Sequence, residues 1–259
     1  MVVALAASVA VVSTTVVNVA ARTGAPAATP NEAGAAEVVE ADPSVVPTTV
    51  VPAAARPTRV LFVGDSLLHQ ARPLLDSRLS ELGMVTWWVG GAGEGPLSDQ
   101  LAWIDEVRRA VAEFHPDHLV LEACCNYPGG GGGWLRLLDR TYVVPDAPQM
   151  DELWLQATGT IVDLVDVPTD LVLVPPPRPD GMWTELQPRI ERLRAGYARL
   201  AGADTRVQLV DWAPVVLAVE ARTGASIRHV DGLHLSPAGN DLVVASTLDA
   251  LLAPRPVVR

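Results

Sequence analysis

From residue 59 onward, short runs of β-branched and other apolar residues alternate with longer stretches in which apolar residues recur at helical spacing. This alternation is typical of a parallel sheet that is covered by helices on both faces. We therefore predict a three-layer α/β/α sandwich with a flavodoxin-like, five-stranded parallel sheet. The five predicted strands are residues 59–63, 85–89, 118–121, 170–174 and 207–210.

The segments between these strands predict the helices. The first covers Leu67–Leu82, with Gly83 as the residue that closes it and Pro73 as a kink or break. The last runs from Ser236 to Leu252, because Ser236 suits an N-cap and Pro237 the first helical position. The remaining predicted helices cover residues 97–114, 151–165 and 185–200.

The first 57 residues differ in composition from the rest. Val2–Ala21 carries no charge and is long enough to span a membrane, so both a cleaved signal peptide and an uncleaved anchor remain open. Residues 22–57 are rich in Ala, Pro, Thr and Val, which predicts a disordered linker. We expect residues 58–259 to form an exported catalytic domain, either secreted or tethered to the membrane through the N-terminus.

Charge and cysteine content restrict the function further. The net charge is −11, with 30 acidic residues against 19 basic ones, which disfavours a nucleic-acid partner. The two cysteines, Cys124 and Cys125, are adjacent and match neither a zinc-ribbon spacing nor a redox C-x-x-C motif. Because a ring between neighbouring cysteines is strained, we expect two free, buried thiols.

A serine follows the first predicted strand. Gly64-Asp65-Ser66-Leu67 opens the first helix, so Ser66 should lie where a helix N-terminus favours developing negative charge. An Asp-Ser pair is also an ordinary helix cap, and this segment alone does not define a site.

A carboxylate and an imidazole lie close together near the C-terminus. Asp231 precedes His234 by three residues, and can reach Nδ1 of its ring while Nε2 accepts a proton from a serine hydroxyl. A solvated surface loop is the alternative for this segment. A metal site from His229, Asp231 and His234 would need a further ligand and would occupy the base, and we predict neither a metal nor a cofactor.

Together these two segments resemble the SGNH (GDSL-type) hydrolase family, over Arg59 to about Leu252. The family's G-D-S block is matched by Gly64, Asp65 and Ser66, and its D-x-x-H block by Asp231 and His234. The resemblance implies that Ser66 is the nucleophile, His234 the base and Asp231 the residue that orients it.

The resemblance also implies an oxyanion hole. Its donors would be the backbone N–H groups of Ser66 and Gly93 and the side-chain amide of Asn126. The block around Asn126 reads Cys-Cys-Asn-Tyr, where the family usually has Gly-x-Asn-Asp.

Two segments that leave the carboxyl ends of strands are predicted to form the rim of the pocket. They carry candidate substrate-binding side chains, which could contact an acyl chain or a sugar but could also pack locally: Tyr127, Trp134, Arg178 and Trp183. His69 lies one helical turn after Ser66 and is more simply read as a partly exposed helix residue.

These features indicate a serine esterase that hydrolyses or transfers the acyl group of a carboxylic ester through an acyl-Ser66 intermediate. The expected partner is a small-molecule, lipid or carbohydrate ester. Two alternatives remain open. One is an O-acetyltransferase or deacetylase that acts on cell-envelope carbohydrate, and the other is a catalytically silent binding module with the same fold.

Overall fold

The sheet is organised around one apolar strand, β1 (Arg59–Gly64), whose residues after Arg59 are all buried. A strand without polar alternation must be covered on both faces. Val60 and Phe62 pack into one apolar cluster, whereas Leu61 and Val63 pack into a second cluster on the other face. Because successive side chains of a strand point to opposite faces, alternate residues of this six-residue strand enter the two apolar clusters.

The computed structural model describes residues 56–97, 103–124, 135–136, 142–143, 150–166 and 168–253. These residues belong to one compact unit, Ala53–Arg259. A 3₁₀ helix, Gly181–Leu186, directly precedes the helix that begins at Gln187. The elements after β1 are α1 (Ser66–Glu81), β2 (Val85–Val89), α2 (Trp103–Phe114), β3 (His118–Glu122), β4 (Leu135–Arg136), β5 (Tyr142–Val143), α3 (Met150–Asp163), β6 (Asp170–Val174), α4 (Gln187–Ala203), β7 (Val207–Leu209), α5 (Trp212–Thr223) and α6 (Pro237–Leu252).

The main sheet has five parallel strands in the order β2-β1-β3-β6-β7. Helices α1, α5 and α6 contribute to the apolar cluster on one face, and α2 and α3 contribute to the cluster on the other. Helix α4 contributes mainly to the second cluster, through Leu193 and Tyr197. The predicted fold class, a flavodoxin-like α/β/α sandwich, is confirmed.

The predicted strands agree with the structure to within one residue at each end, but three features of the connecting segments do not. Leu97 lies in a turn, so the expected helix start there is wrong and α2 spans Trp103–Phe114. Helix α1 continues through Pro73 without being divided. Helix α5 and the β4-β5 pair were not predicted.

The prediction that both cysteines are free thiols is wrong. Cys124 is disulfide-bonded, and Cys125 is the other cysteine of the sequence. Cys124 is fully buried at the end of β3 and packs into the cluster that includes α1 and α6.

Among the described residues, no helix combines the length and the apolar character needed to cross a membrane.

Candidate active site

Ser66 is the first residue of α1 and lies at the carboxyl end of β1. The preceding residue, Asp65, is the helix N-cap, and its Oδ1 accepts a hydrogen bond of 3.0 Å from the backbone N–H of Leu67. This cap fixes the start of the helix immediately beside Ser66. The hydroxyl of Ser66 is consequently held at the positive end of a sixteen-residue helix.

Ser66, His234 and Asp231 form one hydrogen-bonded chain. His234 Nε2 lies 2.9 Å from Ser66 Oγ, and His234 Nδ1 lies 2.6 Å from Asp231 Oδ2. With the Nδ1 proton directed at the carboxylate, Nε2 is left as the acceptor for the serine proton. The three residues that the sequence patterns selected are thus brought together from two segments separated by 168 positions.

The carboxylate of Asp231 is held by its own loop. Its Oδ1 accepts the backbone N–H groups of Leu233 at 2.9 Å and His234 at 3.0 Å. Burial raises the pKa of Asp231, but the hydrogen bonds from the His234 ring and from these two N–H groups outweigh it and hold the pKa below its usual value. Asp231 therefore remains charged and can stabilise a protonated His234 ring.

The segment that carries Asp231 and His234, which we name the triad loop (residues 228–235), is a closed hairpin. Arg228 and Leu235 form an antiparallel bridge across its base. The backbone N–H of His229 donates to the carbonyl of His234 at 2.8 Å, and that of Gly232 donates to the carbonyl of His229 at 2.9 Å.

A buried arginine connects the triad loop to the rest of the fold. Arg228 Nε donates to Glu220 Oε1 of α5 at 3.2 Å, and its Nη1 donates to the carbonyl of Arg178 at 2.6 Å. The backbone N–H of Asp180 donates to the carbonyl of Gly232 at 3.0 Å. The tip of the loop is therefore tied to the segment that follows β6.

An open cleft of about 440 Å³ lies over the serine. Its lining residues are Ser66, His69, Gln70, Ala92, Gly93 and His234. Gly93 lies on the loop after β2 and lines the same cleft as Ser66, and the family resemblance implies that its N–H serves as an oxyanion donor. Burial, followed by the nearby positive charge of Arg72, lowers the pKa of His69, which favours a neutral ring at the wall of the cleft.

Among the described residues, the remaining predicted site residues are not found in the lining of this cleft. Asn126, Tyr127 and Trp134 lie outside the described residues. Arg178 forms an ion pair with Glu191, through an Nε–Oε1 distance of 2.6 Å, and does not line the cleft. Trp183 lies in the 3₁₀ helix, and its side chain is outside the described part of the structure.

Three contributors to the site were not selected from the sequence: Gln70, Ala92 and Arg228. Arg228 carries no local signal, because an arginine in a short connection is ordinarily exposed and only the fold brings Glu220 to it. Gln70 follows His69 by one position, and only the direction of α1 places it at the cleft. Among the described residues, no group of three or more His, Cys, Asp or Glu side chains is arranged to hold a metal ion.

Comparison with solved structures identifies the fold. A lipase/acylhydrolase from Enterococcus faecalis has a TM-score of 0.56 at 16% identity, over 75% of this chain and 95% of that one. The C-terminal catalytic domain of peptidoglycan O-acetyltransferase A from Streptococcus pneumoniae has a TM-score of 0.54 at 16% identity, over 76% and 94%. An acetyl-xylooligosaccharide esterase from Geobacillus has a TM-score of 0.51 at 16% identity, over 79% and 99%.

No family model matches the sequence, and no curated protein matches it significantly. The structural likeness is to lipase and acylhydrolase structures that include a GDSL-like lipase from Bacteroides thetaiotaomicron. The chain therefore has the fold of the SGNH (GDSL-type) hydrolases.

Proposed function

We propose that this protein is a serine esterase that cleaves a carboxylic ester through an acyl-Ser66 intermediate. The observation that carries the proposal is the chain from Ser66 Oγ through His234 to Asp231, with distances of 2.9 and 2.6 Å. A capping serine needs no histidine at its hydroxyl, and a solvated aspartate needs no imidazole at 2.6 Å. The pairing of all three is what nucleophilic catalysis requires.

The reaction begins with proton transfer from Ser66 Oγ to His234 Nε2 as the oxygen attacks the ester carbonyl carbon. The negative charge that develops on the carbonyl oxygen is stabilised by the N–H groups of Ser66 and Gly93 and by the Asn126 amide. The protonated His234 then gives its proton to the leaving alcohol, and Asp231 stabilises the imidazolium in between. Water then attacks the acyl-serine while His234 takes its proton, and His234 returns that proton to Ser66 Oγ as the bond between Oγ and the acyl carbon breaks and the carboxylic acid leaves.

The cleft supports a substrate with a polar and accessible ester. It is open to solvent, and both His69 and Gln70 offer hydrogen-bonding groups beside the nucleophile. Two of the structurally similar proteins are named for acting on acetylated or acetyl-accepting carbohydrate. We extend the proposal to carbohydrate esters on this basis, with transfer to an acceptor hydroxyl as the alternative to hydrolysis.

We also propose that the enzyme acts outside the cytoplasm. The uncharged segment Val2–Ala21 supports export. The disulfide bond at Cys124 supports an oxidising compartment. Cell fractionation of the full-length protein tests this, and recovery in the cytoplasmic fraction with reduced cysteines would contradict it.

The experiment for the catalytic proposal compares Ser66→Ala with Ser77→Ala. Both serines belong to α1, but Ser77 is exposed and distant from His234. A fluorophosphonate should label the wild type and Ser77→Ala, and should not label Ser66→Ala. Hydrolysis of a short p-nitrophenyl ester should follow the same pattern, with a loss of at least about 10³-fold in Ser66→Ala.

The same experiment separates the alternatives. A catalytically silent binding module would leave Ser66 unlabelled in the wild type. Product analysis with an acetylated oligosaccharide separates hydrolysis from transfer, because hydrolysis releases acetate whereas transfer yields an acetylated acceptor.

A further inference from the structure

The N-cap residue Asp65 joins two parts of the site. Its Oδ1 accepts the N–H of Leu67 at 3.0 Å, and its Oδ2 accepts the N–H of Cys124 at 2.8 Å. The first contact holds the start of α1 beside Ser66, and the second holds the chain just after β3, two residues before Asn126. The start of α1 and the chain just after β3 thus depend on one carboxylate, which is only 1% exposed.

A second carboxyl group faces Asp65 from the sheet. Glu122 is the last residue of β3, is paired in register with Gly64 and has no exposed surface. Among the described residues, no N–H or hydroxyl group donates a hydrogen bond of ordinary geometry to either of its carboxyl oxygens. An ionised Glu122 would therefore be a buried charge without compensation.

The surroundings decide which carboxyl group carries a proton. Burial and the charge of Asp65 raise the pKa of Glu122 well above its usual value, although the N–H groups of Asp65 and Leu68 oppose the rise. Burial also raises the pKa of Asp65, against its two backbone hydrogen bonds and the charge of His234. Asp65 accepts two N–H hydrogen bonds of ordinary length, whereas the N–H groups of Asp65 and Leu68 approach Glu122 without forming a hydrogen bond of ordinary geometry, so the proton resides on Glu122.

Within the described part of the chain, the helices packed against this pair supply none of the main charges that act on it. Tyr197 of α4 faces the pair, and its hydroxyl donates to the carbonyl of Ala123 at 3.1 Å. Burial is the largest cause that raises the pKa of Tyr197, so this phenol stays neutral. His234 acts on Asp65 from the triad loop.

We propose that Glu122 is a positioning residue that works as a neutral acid: its O–H donates to the Asp65 carboxylate and holds Asp65 in the orientation that aligns Ser66 with the end of β3. This role rests on the proposed function of Ser66. It assigns a task to a buried acidic residue that takes no part in the proton transfers of the triad.

Two variants distinguish positioning from space filling. Glu122→Gln keeps the size and a hydrogen-bond donor, and we expect it to retain kcat to within about threefold of the wild type. Glu122→Leu fills the same volume without a donor, and we expect kcat to fall about 10- to 100-fold with little change in KM. A residue that only filled space would show the reverse preference, because an apolar side chain is the better filler of a buried slot.

Two further measurements read the protonation state. At neutral pH, the infrared spectrum should contain the C=O stretching band of a protonated carboxylic acid, and Glu122→Gln should lack it. In the wild type, kcat should decline as alkaline pH ionises Glu122 and places two negative charges side by side. In Glu122→Gln this decline should be absent.

The proposal is overturned if the infrared band is missing from the wild type, or if a folded Glu122→Leu has the kcat of the wild type. Circular dichroism and the unfolding midpoint establish that each variant is folded. The infrared result does not depend on catalysis, so it stands even if the fluorophosphonate fails to label Ser66. A failure of the proposed function and a failure of this inference are thereby distinguished.

Discussion

Asp231 holds the His234 ring in one orientation. Its two carboxylate oxygens have separate partners, since Oδ1 accepts backbone N–H groups of the triad loop and Oδ2 accepts from the His234 ring. The lowered pKa keeps it ionised, so the ring is held with its proton on Nδ1. The tautomer, and with it the basicity of Nε2, follows from this one contact.

Replacement of Asp231 by Asn should lower kcat about 10²- to 10⁴-fold while the fold is retained. The Asn amide would donate to Nδ1, which forces the ring proton onto Nε2 and blocks the acceptance of the Ser66 proton. Steady-state hydrolysis of a p-nitrophenyl ester measures the effect. Asp249→Asn is the control, because Asp249 is exposed on α6 and should leave kcat unchanged. Undiminished turnover by Asp231→Asn would show that this carboxylate does not orient the base.

Single residues differed in how far the sequence could predict them. Ser66, Asp231 and His234 belong to two short local patterns, G-D-S and D-x-x-H, and the resemblance to the SGNH hydrolases assigned their roles. Glu122 has no such pattern, because its partner Asp65 lies 57 positions earlier and only the β1-β3 register brings the two together. The state of Cys124 was predicted wrongly, since the strain argument alone did not decide whether the bond forms.

At the scale of the element, the triad loop is a hairpin whose tip is packed against backbone. Gly232 has a φ of +76°, and a Cβ there would lie 2.2 Å from the carbonyl oxygen of Asp180. That oxygen is a backbone atom, so it cannot move aside as the end of a flexible side chain could. The position of Asp231 and His234 therefore depends on the absence of a side chain at residue 232.

Gly232→Ala should displace the triad loop and lower kcat by about tenfold or more, because a shift of about 1 Å in a catalytic group is costly. The control is Gly224→Ala. Gly224 ends α5 at a φ of +66°, but a Cβ there meets nothing within 4 Å. Both variants should lose about 1 kcal/mol of stability from the strained φ. Equal kcat values for the two, measured with the unfolding free energies, would refute the dependence on close packing.

The elements themselves were predictable where composition and position agreed. Buried parallel strands are short apolar runs, and β1, β3 and β6 were located closely for that reason. Helix α5 was missed because its β-branched residues and Pro214 weaken the helical pattern, although Asp211 caps its start and Gly224 closes its end. The start of α2 was misplaced because Leu97 is apolar and buried without being helical.

At the scale of the whole molecule, the carboxyl ends and the amino ends of the parallel strands, which we name the carboxyl edge and the amino edge, carry different kinds of residues. The carboxyl edge carries Ser66 and the Asp65-Glu122 pair, whereas Asp117 lies at the amino edge before β3. There Asp117 Oδ2 accepts the N–H of Arg59 at 2.9 Å, and both oxygens accept from the Arg56 guanidinium. The architecture was predictable from the order of the segments, but the substrate was not, because it depends on loops that no local pattern describes.

Asp117 at the amino edge should contribute to the free energy of unfolding in a pH-dependent way without affecting catalysis. The variant Asp117→Asn tests this. Burial raises the pKa of Asp117, but the N–H of Arg59 and the Arg56 guanidinium outweigh it and lower the pKa below 3.8. A carboxyl group whose pKa is lower in the folded state stabilises the protein above its unfolded pKa, and this contribution is lost as pH falls through the folded value. Asp117→Asn should therefore cost about 1 kcal/mol at pH 7, a modest figure because Arg56 is half-exposed, and the difference should shrink toward pH 2.

Urea unfolding at several pH values measures this difference. The control is Glu81→Gln, which breaks an exposed ion pair with Arg78 and should change the free energy of unfolding by less than about 0.5 kcal/mol. A loss that is independent of pH, or a fall in kcat for the folded Asp117→Asn protein, would contradict the separation of the two edges.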